Sequence, residues 1–237
     1  MKLNPSKTES IVLATRQKHQ IAPMSLSLSV NSAPIKQVTE HRLLGVTVDN
    51  QLKWQAHIDN VCKSVSRNLF MLSKLRYITE QDTRKVFFNA QIMSHIDYAS
   101  TVWDGSGEVH LKRLNSLYRR AAKLILPNPY LSTEHKLREL KILPLAQHLK
   151  FNKGILMHKV WTSSVPSYLS NLFTQQKSRS RLDFCIPRPR IDLYKTSLSY
   201  SGSHLWNSLP NHVKICPSLS CFKKNLFRYL FQLQKPP

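Results

Sequence analysis

The sequence predicts an α+β protein that is mainly α, and three observations predict it. Apolar residues recur at helical spacing from residue 54 onward, and short β-branched runs separated by turn residues are confined to the first 50 positions. A hydrophobic share of 41% in 237 residues is enough to bury a core. The expected architecture is a small antiparallel sheet over residues 1–50, a helical bundle over 51–126, a second helical region over 127–176, and a basic linker with a final helix over 177–237.

The sheet is read from an Asn4-Pro5-Ser6 turn signature, a strand-like run at 11–14, and alternation at Leu26, Leu28 and Val30. A turn at Asn31-Ser32, an apolar run at 35–38 and a last β-branched run at 43–48, closed by Asp49-Asn50, complete it. Beyond it, Trp54, Ile58, Val61, Val65, Leu69, Leu72 and Leu75 fall on one stripe of a helix. At roughly 100° per residue, Lys63, Arg67 and Lys74 lie within about 40° of one another on the other side, and Arg76 ends the run.

Thr79-Glu80-Gln81-Asp82 is close to a capping box and opens a second helix, with a buried face expected at Val86, Phe87, Ala90 and Met93. After the breaker at 104–107 a third helix runs to Leu126 and is stopped by Pro127. Its core positions are Leu111, Leu114, Leu117, Ala121 and Leu124, and its outer cations are Lys112, Arg113, Arg119, Arg120 and Lys123. Helices of similar length with basic ridges make a bundle.

Further on, Ser132 caps a short helix at 136–140. Pro144 opens a longer one reaching Trp161, with Leu145, Leu149, Ile155, Leu156 and Val160 inside, and Pro166 starts another short one. Residues 177–190 are rich in cations and contain two prolines, which predicts an extended linker. Ser218 then caps a last helix with Leu219, Phe222, Leu226 and Tyr229 inward and Lys223, Lys224 and Arg228 outward.

The chain carries 35 Lys and Arg against 13 Asp and Glu, a formal charge of +22, far more than solubility requires. The excess is spread over all four segments, so a polyanion is the expected partner and nucleic acid the first candidate. No run approaches the roughly 18 apolar residues of a membrane span, and the start lacks a signal-peptide pattern, so an intracellular protein, nuclear or cytoplasmic, is expected without a membrane partner. Cys62, Cys185, Cys216 and Cys221 are read as free thiols. His212, Cys216 and Cys221 do not have the spacing of a zinc knuckle, so no metal site is expected. No adjacent aspartate pair, glycine-rich phosphate loop or Ser/His/Asp spacing occurs, so no catalytic residues and no enzyme activity are expected.

Three segments in order carry a resemblance: LNPSKTE at 3–9, LLGVTVD at 43–49, and KWQAHI at 53–58 heading a basic helix. Together they resemble the reverse transcriptase of non-LTR retrotransposons. The resemblance implies that Lys7 is the lysine of palm motif D, near the incoming nucleotide's phosphates. It also implies that Leu44, Gly45 and Val46 form the primer grip and that 51–126 is the thumb closing on a template-primer duplex. The later Trp-Asn-Ser-Leu-Pro run at 206–210 resembles the family's tail.

That family polymerises with Mg2+ held by aspartates that have no counterpart here, so the resemblance implies a fragment without polymerase activity or cofactor of its own. Such a fragment is expected to retain sequence-non-specific RNA and DNA binding through Lys63, Arg67, Lys74, Arg76, Lys112, Arg113, Arg119, Arg120 and Lys123, since a polymerase grips phosphate and sugar rather than base edges. Trp54, Tyr77, Phe87, Tyr98, Trp103 and Tyr118 sit at core spacing and are expected inside rather than stacked on bases. A second reading is a host-adopted adaptor that binds RNA or a protein.

Overall fold

A computed structural model describes residues 4, 7–21, 26–30, 32–177 and 182–234. It is mainly helical with small sheets. The strands, in order, are β1 (Glu9–Ser10), β2 (Ser29–Val30), β3 (Ala33–Pro34), β4 (Lys36–Gln37), β5 (Glu40–Leu43), β6 (Val46–Asp49), β7 (Gln175–Lys177) and β8 (Leu182–Phe184). Among the described residues they form four separate pairs rather than one sheet. Three are antiparallel, β2–β3, β5–β6 and β7–β8, and β1–β4 is parallel. Residues 11–14, expected as a strand, are irregular and precede α1 (Arg16–Ile21). The turn expected at Asn31-Ser32 falls partly outside the described residues, as do Pro5 and Ser6.

The run 43–48, expected as one strand, is the centre of a hairpin. Leu44 and Gly45 form its two-residue turn with φ of 46° and 84°. Positive φ at both central positions matches the twist of the flanking strands, but it strains Leu44, which has a side chain. Two contacts hold the turn: the Tyr98 hydroxyl donates to the Leu44 carbonyl at 2.5 Å, and the Tyr98 ring lies where a Cβ on Gly45 would come within 3.3 Å.

From β6 the chain enters the long helix through a loop tied to one carboxylate. Asp49 accepts from the backbone N–H groups of Gln51, Lys53 and Trp54 at 3.0, 3.1 and 2.7 Å. The helices that follow are α2 (Gln55–Leu75), α3 (Gln81–Phe87), a π-helical segment (Phe88–Met93), α4 (Ser94–Asp97), α5 (Ser100–Trp103) and α6 (Glu108–Ile125). The remainder are α7 (Thr133–Glu139), α8 (Leu145–Trp161), α9 (Ser167–Ser170), α10 (Asp192–Lys195), α11 (Leu198–Ser208), α12 (Asn211–Lys214) and α13 (Leu219–Gln232). Ser132 and Ser218 cap α7 and α13 as expected, accepting from His135 N–H and Cys221 N–H.

Apolar side chains gather in two cores. The first joins the α2 stripe, buried from Trp54 to Leu72 with Leu75 half-buried, to Phe88, Ile92, Ile96, Leu114, Tyr118 and Ile125, and extends to Leu137, Leu140, Leu145 and Leu149. The second contains Met157, Val160, Phe184, Trp206, Phe222, Leu226 and Leu230. Helix α8 serves both, the first with Leu145 and Leu149 and the second with Met157 and Val160. Gly154 lets α13 close onto it, since a Cβ there would meet Leu226 Cδ2 at 2.6 Å.

Several expected faces are turned. In α3 and the segment after it, Val86 and Ala90 are exposed and Phe87 half-buried, whereas Arg84, Phe88, Ile92, Met93 and Ile96 are buried. The wider π turns keep residues four apart nearly in line, so 84, 88, 92 and 96 share a face that a plain α-helix would spiral away. Thr79 does not cap α3; its hydroxyl bonds back to Leu75 O, and Glu80 is the capping position. In α6, Leu111, Leu117 and Leu124 are half-buried while Tyr118, Ala122 and Ile125 join Leu114 and Ala121 inside, because the Tyr118 hydroxyl reaches the Leu143 carbonyl at 2.6 Å.

In α8, Ile155 and Leu156 are half-buried, and Lys153, Gly154, Met157 and His158 are buried instead. The stretch expected as a linker begins as the hairpin β7–β8, whose Phe184 is 1% exposed against Trp161 and Trp206. Phe184 sits inside the second core, and its N–H and carbonyl bond the Asn207 side chain at 2.9 and 2.8 Å, which ties β8 to α11.

Candidate nucleic-acid interface

The β5–β6 turn, α2 and α4 enclose a groove of about 570 Å³ lined by Arg42, Gly45, Thr47, His57, Asn60, Val61, Lys63, Ser64, Arg67, His95 and Tyr98. Its cations come from the hairpin and from the outer face of α2, and none of its lining residues is acidic. Asn60, Lys63, Ser64 and Arg67 follow one helical face at spacings of three and four, which places them in a row along the wall. Hydrogen bonds link the lining residues: Arg67 Nη2 donates to Ser64 Oγ at 3.2 Å, Asn60 Nδ2 to Thr47 Oγ1 at 3.4 Å, and the Thr47 N–H to His57 Nδ1 at 3.4 Å.

The hairpin is electrically polarised along its length. Near the turn, the paired residues Arg42 and Thr47 face the basic groove. At the open end, the pair Glu40 and Asp49 joins Asp59 around a different pocket of about 420 Å³. Burial, followed by the Arg42 charge, holds the His57 imidazole below its usual range, so it is neutral and accepts from Thr47. The groove therefore offers guanidinium, ammonium, amide, hydroxyl and imidazole groups to an anion.

Gly45, Lys63 and Arg67 are brought together here. Leu44 is 84% exposed at the tip, and Val46 turns inward to the first core. Lys74 lies further along α2, its Nζ 5.5 Å from the Phe70 ring centroid, and Arg76 rests over Tyr77 at 5.7 Å. The α6 cations divide. Arg113 pairs with Asp59 at 2.9 Å and Arg119 with Glu134 at 2.7 Å, whereas Lys112, Arg120 and Lys123 are exposed. Lys7 is exposed in a turn ahead of β1 and does not line the groove. Of the six aromatics expected inside, Trp54, Trp103 and Tyr118 are buried and Phe87 is half-buried, but Tyr77 and Tyr98 are 80% and 55% exposed.

Sequence reasoning missed Arg42, His57, Asn60, Ser64, His95 and Tyr98. The α2 members carried a signal, since Asn60 and Ser64 continue the Lys63–Arg67 row. Arg42 was hidden by reading a single strand where a hairpin runs, and His95 and Tyr98 by the π turns that place α4. Among the described residues no three His, Cys, Asp or Glu side chains gather as a metal site. The cationic lining of the groove does not suit a hard divalent cation, which takes oxygen ligands. No described helix is long and apolar enough to cross a membrane. Comparison with protein-family models, with curated proteins and with solved structures returns no match to this chain.

Proposed function

We propose that this chain comprises the palm end and thumb of a reverse transcriptase of the non-LTR retrotransposon type, and that it grips the sugar–phosphate backbone of RNA and DNA duplexes without reading their sequence. One observation carries the reading: the turn at Leu44-Gly45, which the resemblance assigns to a primer grip, and the Lys63–Arg67 row, which it assigns to a thumb, meet in one groove without a lining carboxylate. Arginine supplies a planar fork for phosphate oxygens, lysine a mobile point charge, and Asn60 and Ser64 neutral donors between them. Binding, not catalysis, is the activity proposed.

The test is fluorescence anisotropy of primer-template duplexes of unrelated sequence over a range of salt. Affinity is expected to fall linearly on logarithmic axes, with a slope of nearly one per phosphate neutralised. Lys63→Glu with Arg67→Glu is expected to lower that slope by about two and to weaken all sequences alike, with the far-UV circular dichroism unchanged because both side chains are exposed. A salt-independent affinity, or an unchanged slope in the double variant, overturns the proposal.

A further inference from the structure

The last connection in the chain brings two thiols together. Cys216 follows α12, and Cys221 is the third residue of α13. Their sulfurs are 3.6 Å apart, both residues are half-buried, and neither is bonded to another group covalently. The Asn225 amide, one turn along α13, donates to both sulfurs, at 3.3 Å to Cys216 and 3.7 Å to Cys221. The Cys216 thiol in turn donates to the Val213 carbonyl at 3.3 Å. Sulfur contact at this range leaves about 1.5 Å to close before the bond length of a disulfide is reached, within the reach of rotations at the two side chains.

We propose that Cys216 and Cys221 are a modification site, a dithiol that a small-molecule disulfide such as oxidised glutathione converts to an intramolecular bridge. One cysteine, as thiolate, attacks a sulfur of the reagent; the S–S bond of the reagent breaks and one glutathione thiolate leaves. The second cysteine gives up its proton and attacks the protein sulfur of the mixed disulfide, releasing the second glutathione. Two protein thiols are oxidised and one glutathione disulfide is reduced to two thiols.

Burial pushes the ionisation of Cys216 up, which suits it to the resolving step rather than to the first attack on the reagent. The bridge closes a six-residue ring, 216–221, around Pro217 and the cap Ser218. Cys216 packs on the second core, and α13 supplies that core with Phe222, Leu226 and Leu230, so the ring fastens the start of α13 to the body it packs against. By contrast, Cys62 lies fully inside the first core, where burial raises its thiol and shields it from reagents.

The experiment incubates the full chain with oxidised glutathione, quenches with an alkylating reagent and maps peptides by mass spectrometry. The expected product is a peptide containing both cysteines, lighter by two hydrogens, protected from alkylation and restored by dithiothreitol. Cys216→Ser is expected to stop at a glutathione adduct on Cys221, and Cys185→Ser is expected to leave the bridge unaffected. Stable glutathione adducts on the native chain, pairing of either cysteine with Cys185, or full alkylation of both overturns the proposal.

Discussion

The groove beside the first core and the interior beside the second treat positive charge in opposite ways. Around the first, Arg42, Lys63 and Arg67 stand at the rim of a groove, exposed, with no carboxylate among its lining residues. Around the second, Lys153 and Lys214 are buried and paired, Lys153 with Asp104 at 2.8 Å and Lys214 with Asp183 at 2.8 Å. The fillings differ as well. The first is mostly aliphatic, whereas the second stacks Trp161 on Trp206 at 5.4 Å, Trp206 near Phe222 at 5.9 Å and Phe222 against His158 at 4.3 Å. A count of 35 Lys and Arg therefore overstates the cations a polyanion meets, because some of them are paired inside the fold. Where a cation sits matters more for binding than how many there are.

The largest effect expected from breaking this contrast is at the seam between the cores. Asp104 follows α5, and Lys153 on α8 reaches both it and the Ser201 hydroxyl at 3.0 Å. Burial pushes the Asp104 carboxyl up in spite of the neighbouring ammonium, so the pair is held by geometry at a real desolvation cost. Asp104→Ala leaves the ammonium without its partner and is expected to cost about 3–5 kcal/mol. Adding Lys153→Met to that variant is expected to recover much of the loss. Urea midpoints at constant slope for both singles and the double measure the coupling.

A smaller loss is expected at Arg84, the buried cation of α3. Its guanidinium donates to Ile125 O at 3.1 Å, to Arg76 O at 3.2 Å and to Thr79 O, so one side chain satisfies carbonyls at the ends of α2 and α6. Arg84→Met keeps the apolar stem and removes the donors. The expected destabilisation is about 2–4 kcal/mol by thermal or urea unfolding, with Arg84→Lys recovering only part because an ammonium lacks the fork. If Arg84→Met is as stable as the native chain, the first core does not depend on an interior charge and the contrast with the second core sharpens.

What the residues revealed and what they hid follow the same division between local and long-range order. The α2 stripe was legible because each step of three or four depends only on neighbours in the chain, and so were the caps at Ser132 and Ser218. The Leu44-Gly45 turn was hidden from the apolar pattern, though not from the resemblance, because Leu44 adopts a positive φ that its side chain disfavours, and what holds it there is Tyr98, more than fifty residues away. The π turns were hidden because their reward lies in bringing Phe88, Ile92 and Ile96 onto α2. The groove was legible along Asn60 to Arg67 and hidden where other elements complete it. Arg113 and Arg119 looked free because their partners, Asp59 and Glu134, come from other helices.

The smallest effect expected separates the cores by pH. His57 in the first and His158 in the second are both buried, and burial lowers the basicity of each, with Arg42 adding to the effect at His57. A histidine whose folded pKa lies below its unfolded value of about 6.5 binds fewer protons when folded. Stability is therefore full above about 6.5 and falls as the pH drops from there toward the folded value, at up to about 1.4 kcal/mol per pH unit for each such group. His158 stacks on Phe222 and its Nδ1 has no bonding partner, so His158→Phe should flatten this decline without harming the fold at neutral pH. His57 accepts from Thr47, so His57→Gln keeps an acceptor and should flatten the decline while preserving the hairpin. Unfolding midpoints between about pH 7 and pH 5 decide the matter.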